Sequence, residues 1–290
     1  MKRRHIIIIL LFASAIIAGT YFTNPKDQIT LQTASNSKDN IKVIDNFKSP
    51  ELNNTKTLRI YLPENYGSSN KRYPVIYMPD GQNLFNPSSG IYGKTWAVSE
   101  TLDELYAKGK TKNYIVVGID SIDSTRTNEY NVFSGVSNNN PTISPGGLGK
   151  YYSEFIVKTL KPYIDENYRT LPDKKNTAII GASYGAIVSL YTGIEYNDVF
   201  GVIGAFSLCD NVNPNAYTEY LSDNLNNNKI KDTNIYFYVG TNDFAYYSAN
   251  NAYKIATDNS LNNVFYKEDD GSHHESYWGP MFKWIIESEN

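Results

Sequence analysis

Cysteine and histidine are scarce in this chain of 290 residues, and each shortage narrows what it can be. Cys209 is the one cysteine, so no disulfide can form within the chain. Three histidines occur, and one of them, His5, lies in the N-terminal leader. There is no His/Cys cluster of the kind a zinc site needs, and neither a metal nor an organic cofactor is implied. Basic charge is not in excess either: 27 Lys and Arg against 30 Asp and Glu leave a net charge of -3. With no basic stripe, nothing points to a nucleic-acid partner.

The leader is the one place where apolar residues run almost unbroken. Behind the positive start Met1-Lys2-Arg3-Arg4-His5, residues 6–18 form a run of signal-peptide length. A spanning helix needs about 20 residues, and extension through Tyr21 and Phe22 would just reach that. Residues 1–23 are therefore expected to be a signal peptide or, alternatively, an uncleaved N-terminal anchor that attaches the protein to a membrane. Residues 24–40 are polar and unpatterned, as a flexible linker would be. Residues 41–290 are expected to form one domain, long enough to bury a sizeable core. Export without disulfides fits a bacterial protein that is secreted or attached to the cell surface.

What the chain does have is Gly181-Ala182-Ser183-Tyr184-Gly185, a G-x-S-x-G pentapeptide. It follows a β-branched run (Thr177, Ile179, Ile180) and opens an apolar, helix-like stretch (Ile187, Val188, Leu190, Tyr191). A serine on such a strand-to-helix turn projects its hydroxyl above the sheet, and small neighbours tolerate the strained backbone. The same turn sets the N–H of Tyr184 and a helix N-terminus beside any oxyanion that forms. A serine hydroxyl needs a base within hydrogen-bonding reach. With His5 in the leader, that base is His273 or His274.

Strand-like and helix-like segments alternate through the domain. Strands are predicted at 41–44, 57–61, 74–78, 114–119, 177–180, 201–205, 235–239 and 264–266. Helices are predicted at 99–108, 150–167, 186–194, 250–257 and 277–287, with Pro162 ending or kinking the second of them. Short, wholly apolar, β-branched strands suit burial on both faces. The alternation implies an α/β fold with a mostly parallel central sheet and helices on both faces. Functional residues in such sheets follow the carboxyl ends of strands. Ser183 follows one strand, Asp243 follows 235–239, and His273 and His274 follow 264–266. The order serine, acid, histidine is that of an α/β-hydrolase.

Beyond the pentapeptide, many segments in order resemble the putative esterase family of the α/β-hydrolase superfamily, the group of esterase D-like enzymes, feruloyl esterases, siderophore esterases and mycolyltransferases. They include Arg59-Ile60-Tyr61-Leu62-Pro63, then Tyr73-Pro74-Val75-Ile76-Tyr77-Met78-Pro79-Asp80-Gly81-Gln82-Asn83, and Trp96 before Glu100. Arg126 ahead of Glu129-Tyr130, the segment Gly204-Ala205-Phe206-Ser207, and His273-His274-Glu275 before Trp278 continue the likeness, which covers about 57–286. The family's His, one residue, Glu, two residues, Trp spacing implies His273 as the base. The resemblance also implies Asp243 as the acid, over Asp210, Asp269 and Asp270. Gln82 in the loop after strand 74–78 is the implied second oxyanion donor beside Tyr184. One departure is Tyr184 itself, where many relatives carry methionine; a tyrosine there narrows the acyl pocket or offers a ring for stacking.

The expected chemistry is serine-dependent hydrolysis of a carboxylic ester through an acyl-enzyme, on an extracellular small-molecule or carbohydrate-linked substrate. Trp96, Arg126, Tyr130 and Trp278 are candidates to line or buttress the cleft, with an Arg126–Glu129 ion pair shaping its rim. Residues 131–149 and 210–229 are candidate rims or a small lid. Acyl transfer to a sugar or lipid acceptor, or a hydrolase-fold binding module without catalysis, are the alternatives.

Overall fold

The computed structural model describes residues 40–88, 93–136, 144–226 and 228–290. The leader and nearly all of the linker read from the sequence lie outside the described residues, as does part of the 131–149 segment.

Eight strands form one sheet: β1 (Ile41–Ser49), β2 (Asn54–Tyr61), β3 (Val75–Pro79), β4 (Ile115–Ile119), β5 (Thr177–Ala182), β6 (Val202–Phe206), β7 (Asn234–Gly240) and β8 (Val264–Asp269). Their spatial order is β1-β2-β4-β3-β5-β6-β7-β8. Only β2 runs against the rest: it pairs antiparallel with β1 and with β4, and β4 through β8 pair in parallel. All eight predicted strands are present. β1 runs five residues beyond its predicted end because Asn46, at φ 56°, forms a bulge that polar Asp45-Asn46 disguises as a turn.

Central strands β3, β4, β5 and β6 are buried at every position, which is why they read as unbroken apolar runs. Alternation sorts their side chains into two cores. Val75, Tyr77, Ile115 and Val117 face one core, and Ile76, Met78 and Val116 face the other. The edges differ. β8 exposes Lys267, Glu268 and Asp269, charges that block pairing with another chain.

Two helices, α1 (Val98–Ala107) and α8 (Glu275–Ser288), cover one face through Leu102, Leu105, Trp278, Phe282 and Ile285. Six others contribute to the opposite core: α2 (Asp123–Tyr130), α3 (Gly149–Glu154), α4 (Lys161–Asn167), α5 (Tyr184–Glu195), α6 (Pro214–Asn224) and α7 (Tyr246–Asp258). Pro162 does not end the helix predicted over 150–167. Instead the winding widens to a π-helical stretch over Phe155–Leu160, and the chain passes through it from α3 into α4. Such a widening accommodates the missing N–H and the ring's clash with the preceding turn. The 210–229 stretch contains α6, whose Asn213 side chain accepts the Ala216 N–H at 3.3 Å and whose first residue is proline.

The chain leaves β3 for β4 on one side, then crosses to β5 on the other. The crevice between the carboxyl ends of β3 and β5 is thus the switch point of the sheet.

Candidate active site

Ser183 occupies the turn from β5 into α5 at φ 59°, ψ -129°, a strained conformation for a side chain with a Cβ. Neighbours hold it there. Its N–H donates to the Phe206 carbonyl at 3.0 Å and its own carbonyl accepts the Ala186 N–H at 3.0 Å. Gly181 makes the turn possible: a Cβ at that position would lie 2.4 Å from the Gly185 carbonyl oxygen. Tyr184 starts α5, so its backbone N–H belongs to the first turn and has no partner within the helix.

On the far side of the sheet, the loops after β7 and β8 are laced together. Thr241 N–H donates to the Asp269 carbonyl at 2.8 Å and Asn242 N–H to the Gly271 carbonyl at 3.0 Å. That lacing sets Asp243 against His273. Asp243 Oδ1 and His273 Nδ1 are 2.8 Å apart, and the same oxygen accepts the Ala245 N–H at 2.8 Å. Burial pushes the carboxyl of Asp243 up, but hydrogen bonding from His273 and the Ala245 N–H helps outweigh it and hold the group below the ordinary aspartate value. A carboxylate can only accept, so Nδ1 carries the proton and Nε2 is left as the basic nitrogen.

Three further contacts shape this pair. Trp278 packs edge-on to the imidazole at 5.1 Å between ring centres, and its indole N–H donates to Ser207 Oγ at 2.8 Å. Phe244, 70 % exposed, lies over the imidazole at 4.1 Å. His274 has a different job: its Nδ1 accepts the Ser276 N–H at 3.2 Å and caps the start of α8.

A cavity of about 210 Å³ opens at the switch point, with Ser183, His273, Trp96, Trp278 and Arg126 among its walls. The Ser183 hydroxyl and the imidazole share it without a hydrogen bond between them, a contact that in serine hydrolases often tightens only with substrate. Trp96 stacks on Phe206 at 5.8 Å and leans on Trp278 at 5.7 Å, so both indoles pack as well as line. Gln82 sits in the short helical turn Gly81–Asn83 after β3. Its side chain clamps that loop to the end of β4, donating to Ser121 Oγ at 2.7 Å and accepting the Ser121 N–H at 3.0 Å.

Tyr130 is fully buried and buttresses the cleft from beneath, its hydroxyl accepting the N–H of the wall residue Asp80 at 3.0 Å. One expectation needs correction: Arg126 and Glu129 do not pair with each other. Arg126 grips Asp80 through two bonds of 2.8 Å, and Glu129 pairs with Lys56 and accepts from Asn54 Nδ2 at 2.7 Å. Glu129 meets its partner on β2 and Arg126 meets its partner in the loop after β3, which spacing along α2 could not reveal.

Asp80, Asn83 and Glu275 also wall the cavity and were not singled out from the sequence. Asp80 and Glu275 stood inside the segments that carry the family resemblance, but nothing local distinguished them from surface carboxylates. Among the described residues no group of three or more His, Cys, Asp or Glu could hold a metal ion.

The model of the family described as Putative esterase matches residues 49–286. The uncharacterized protein YjcH of Bacillus subtilis is 28% identical over 246 residues, 81% of this chain and 91% of that protein. An endo-1,4-beta-xylanase/feruloyl esterase of Xylanibacter ruminicola is 29% identical over 169 residues, which are 56% of this chain and 20% of that protein. Among solved structures, a ferulic acid esterase superposes with a TM-score of 0.66 at 20% identity, covering 87% of this chain and 98% of the other. The enterobactin esterase of Shigella flexneri superposes with a TM-score of 0.67 at 17% identity, covering 86% of this chain and 58% of the other. At these identities the structural likeness establishes the α/β-hydrolase fold.

Proposed function

The chain belongs to the putative esterase family, which makes it a carboxylic ester hydrolase of the α/β-hydrolase superfamily, and from that premise we propose that Ser183, His273 and Asp243 carry its chemistry. Ser183 Oγ attacks the ester carbonyl while His273 Nε2 takes its proton. Asp243 fixes the tautomer and stabilises the imidazolium without becoming protonated. The tetrahedral oxyanion is received by the backbone N–H of Tyr184 and that of Gln82. His273 then protonates the leaving alcohol, and water releases the acyl-enzyme by the same steps in reverse.

The observation that carries this reading is the 2.8 Å bond between Asp243 and His273, which orients an imidazole on the wall of the cavity that Ser183 also lines. On the substrate, the walls give a direction. The wall residues Trp96 and Trp278, with the exposed Phe244 ring against His273, favour an aromatic or otherwise flat acyl group. Relatives named as ferulic acid esterases and as a xylanase/feruloyl esterase support a carbohydrate-linked ester of that type. The charged start and apolar run of residues 1–18 support export, and with it an extracellular substrate. Among the described residues no helix is long and apolar enough to cross a membrane.

The test is Ser183→Ala, assayed on a chromogenic short-chain ester and on methyl ferulate. Turnover should fall by at least about 10³-fold, and labelling by a fluorophosphonate probe should vanish, with the circular dichroism spectrum unchanged. Retained turnover in a folded variant would reject the assignment. Addition of carbohydrate or alcohol acceptors, with analysis of products, separates hydrolysis from acyl transfer.

A further inference from the structure

The loop that follows β3 carries a charge where an esterase would least want one. Asp80 begins this loop in the left-handed conformation, φ 58° and ψ 46°, and its side chain lines the cavity. Its carboxylate lies against the first turn of α5: a Cβ placed on Gly185 would sit 3.3 Å from Asp80 Oδ2. That is the helix end expected to receive the oxyanion. An unbalanced carboxylate there would repel the developing charge and compete for the same positive helix terminus. Its field reaches the opposite wall as well. Burial raises the Glu275 carboxyl above its ordinary value, and the charge of Asp80 adds to that rise.

One group answers it. Among the described residues lining the cavity, Arg126 is the only lysine or arginine. Its Nε and Nη2 donate to the two oxygens of Asp80, each at 2.8 Å, in a bidentate fork. The guanidinium is sandwiched by aromatic faces, 5.2 Å from the Tyr130 ring centre and 5.4 Å from that of Tyr184. The helix that carries it is anchored in turn. Tyr130, four residues on, takes the Asp80 N–H, and Glu129 between them pairs with Lys56 of β2. Residues 126, 129 and 130 thus tie one helix to the backbone and side chain of Asp80 and to a strand two positions away in the sheet.

From this arrangement we propose that Arg126 is a positioning residue for ester hydrolysis: through Asp80 it fixes the oxyanion loop and cancels the negative charge that Asp80 would otherwise hold against the forming oxyanion. The inference rests on the hydrolase reading above. It differs from a role in gripping substrate, because the Nε and Nη2 donors of Arg126 are engaged by Asp80.

The experiment is a double-variant cycle on the full domain, with p-nitrophenyl butyrate as substrate. Arg126→Met should lower kcat by about 10- to 100-fold, somewhat less than the loss of a direct oxyanion donor, with KM nearly unchanged. Asp80→Asn combined with Arg126→Met should recover at least about threefold of that loss, since the repelling charge is gone. Guanidinium chloride at low concentration should partly rescue Arg126→Met and leave the double variant unaffected. A rise in KM at constant kcat would mean that Arg126 binds substrate, and a double variant no faster than the single one would mean that charge cancellation is not its role. Either result overturns the proposal. Should Arg126→Met fail to fold, Arg126→Lys keeps the charge and loses the fork: a lower kcat at constant KM supports the proposal and the opposite pattern overturns it. Wild-type protein that hydrolyses no ester and takes no fluorophosphonate would defeat the hydrolase reading itself. An active wild type with an unimpaired Arg126→Met defeats only this inference.

Discussion

Ser183, held at φ 59° between a strand and a helix, depends on the residue two places before it for its conformation. At Gly181 even a methyl group would press on the Gly185 carbonyl oxygen at 2.4 Å and on Ser189 Oγ at 2.7 Å. Because the first contact is backbone, it cannot be relieved by a rotamer change. Gly181→Ala is therefore expected to cost about 1–3 kcal/mol in urea denaturation and to slow fluorophosphonate labelling at Ser183 by misplacing the elbow. Asp243 sits at the other end of the proposed proton path. Asp243→Asn preserves the shape but offers an amide to Nδ1, which favours the wrong tautomer of His273. A fall in kcat of about 10⁴-fold, with little change in melting temperature, is the expected outcome, read by ester kinetics beside a thermal scan. The candidate serine was legible from the pentapeptide around it, and the two candidate histidines because composition left so few. Ser207, at φ 46° and hydrogen-bonded to Trp278, was not legible, and neither was Phe244 over the imidazole. Both act through neighbours that lie far away in the chain or across a loop, and no local pattern encodes that.

Helix α2 shows how much an element can matter with little hydrophobic signature. Its sequence, Asp123-Ser124-Thr125-Arg126-Thr127-Asn128-Glu129-Tyr130, offers one apolar anchor, so periodicity reads it as loop. What docks it is polar: the Lys56–Glu129 pair, fully desolvated on both sides, and the Arg126–Asp80 fork. Interior ion pairs of this kind are costly to break from one side, since the abandoned charge has no water. Lys56→Met should thus destabilise the fold by about 3–5 kcal/mol, and Lys56→Met with Glu129→Gln should recover most of that, as measured by urea denaturation at neutral pH. Additive losses in the double variant would show that the two residues contribute independently, with no penalty from a stranded carboxylate. Helix α6 escaped notice for a related reason. It buries only Tyr217 and Leu221, although the Asn213-Pro214 start is a recognisable capping signal. The central strands lay at the opposite extreme: immersed on both faces, they could be nothing but runs of Val, Ile and aromatic residues, and their positions could be read off directly.

Over the whole molecule, three crossovers bring the candidate residues 183, 243 and 273 to one rim, and the rule that sites follow strand ends singled out those candidates before the strand order was known. The order itself, with β2 reversed and β4 inserted between β2 and β3, leaves no trace in hydropathy, because an internal strand reads the same whichever neighbour it has. The cost of that convergence is electrostatic, since Asp210, Asp243 and Glu275 follow strand ends on one side of the sheet. They do not respond alike to pH. Asp243 is held below the ordinary aspartate value, so its contribution is present at neutral pH and is lost as pH falls through its folded-state value. Asp210 is the reverse. Burial against the groove formed with Tyr217 and Leu221 lifts its carboxyl from 3.8 to about 6, only partly offset by the Asn213 N–H. The folded state then binds the proton more tightly than the unfolded chain, and stability drains away as pH rises from about 4 to about 6. Asp210→Asn keeps the acceptor for the Asn213 N–H and removes the charge. Discounted for partial exposure, the variant should match wild type at pH 3.5 and exceed it by about 1–2 kcal/mol at pH 7.5, the gap opening between those values. Urea titrations at a series of pH values read this difference directly. An equal gap at every pH would assign the effect to packing, and a variant weaker at pH 7.5 would mean that the ionised carboxylate is satisfied in the groove.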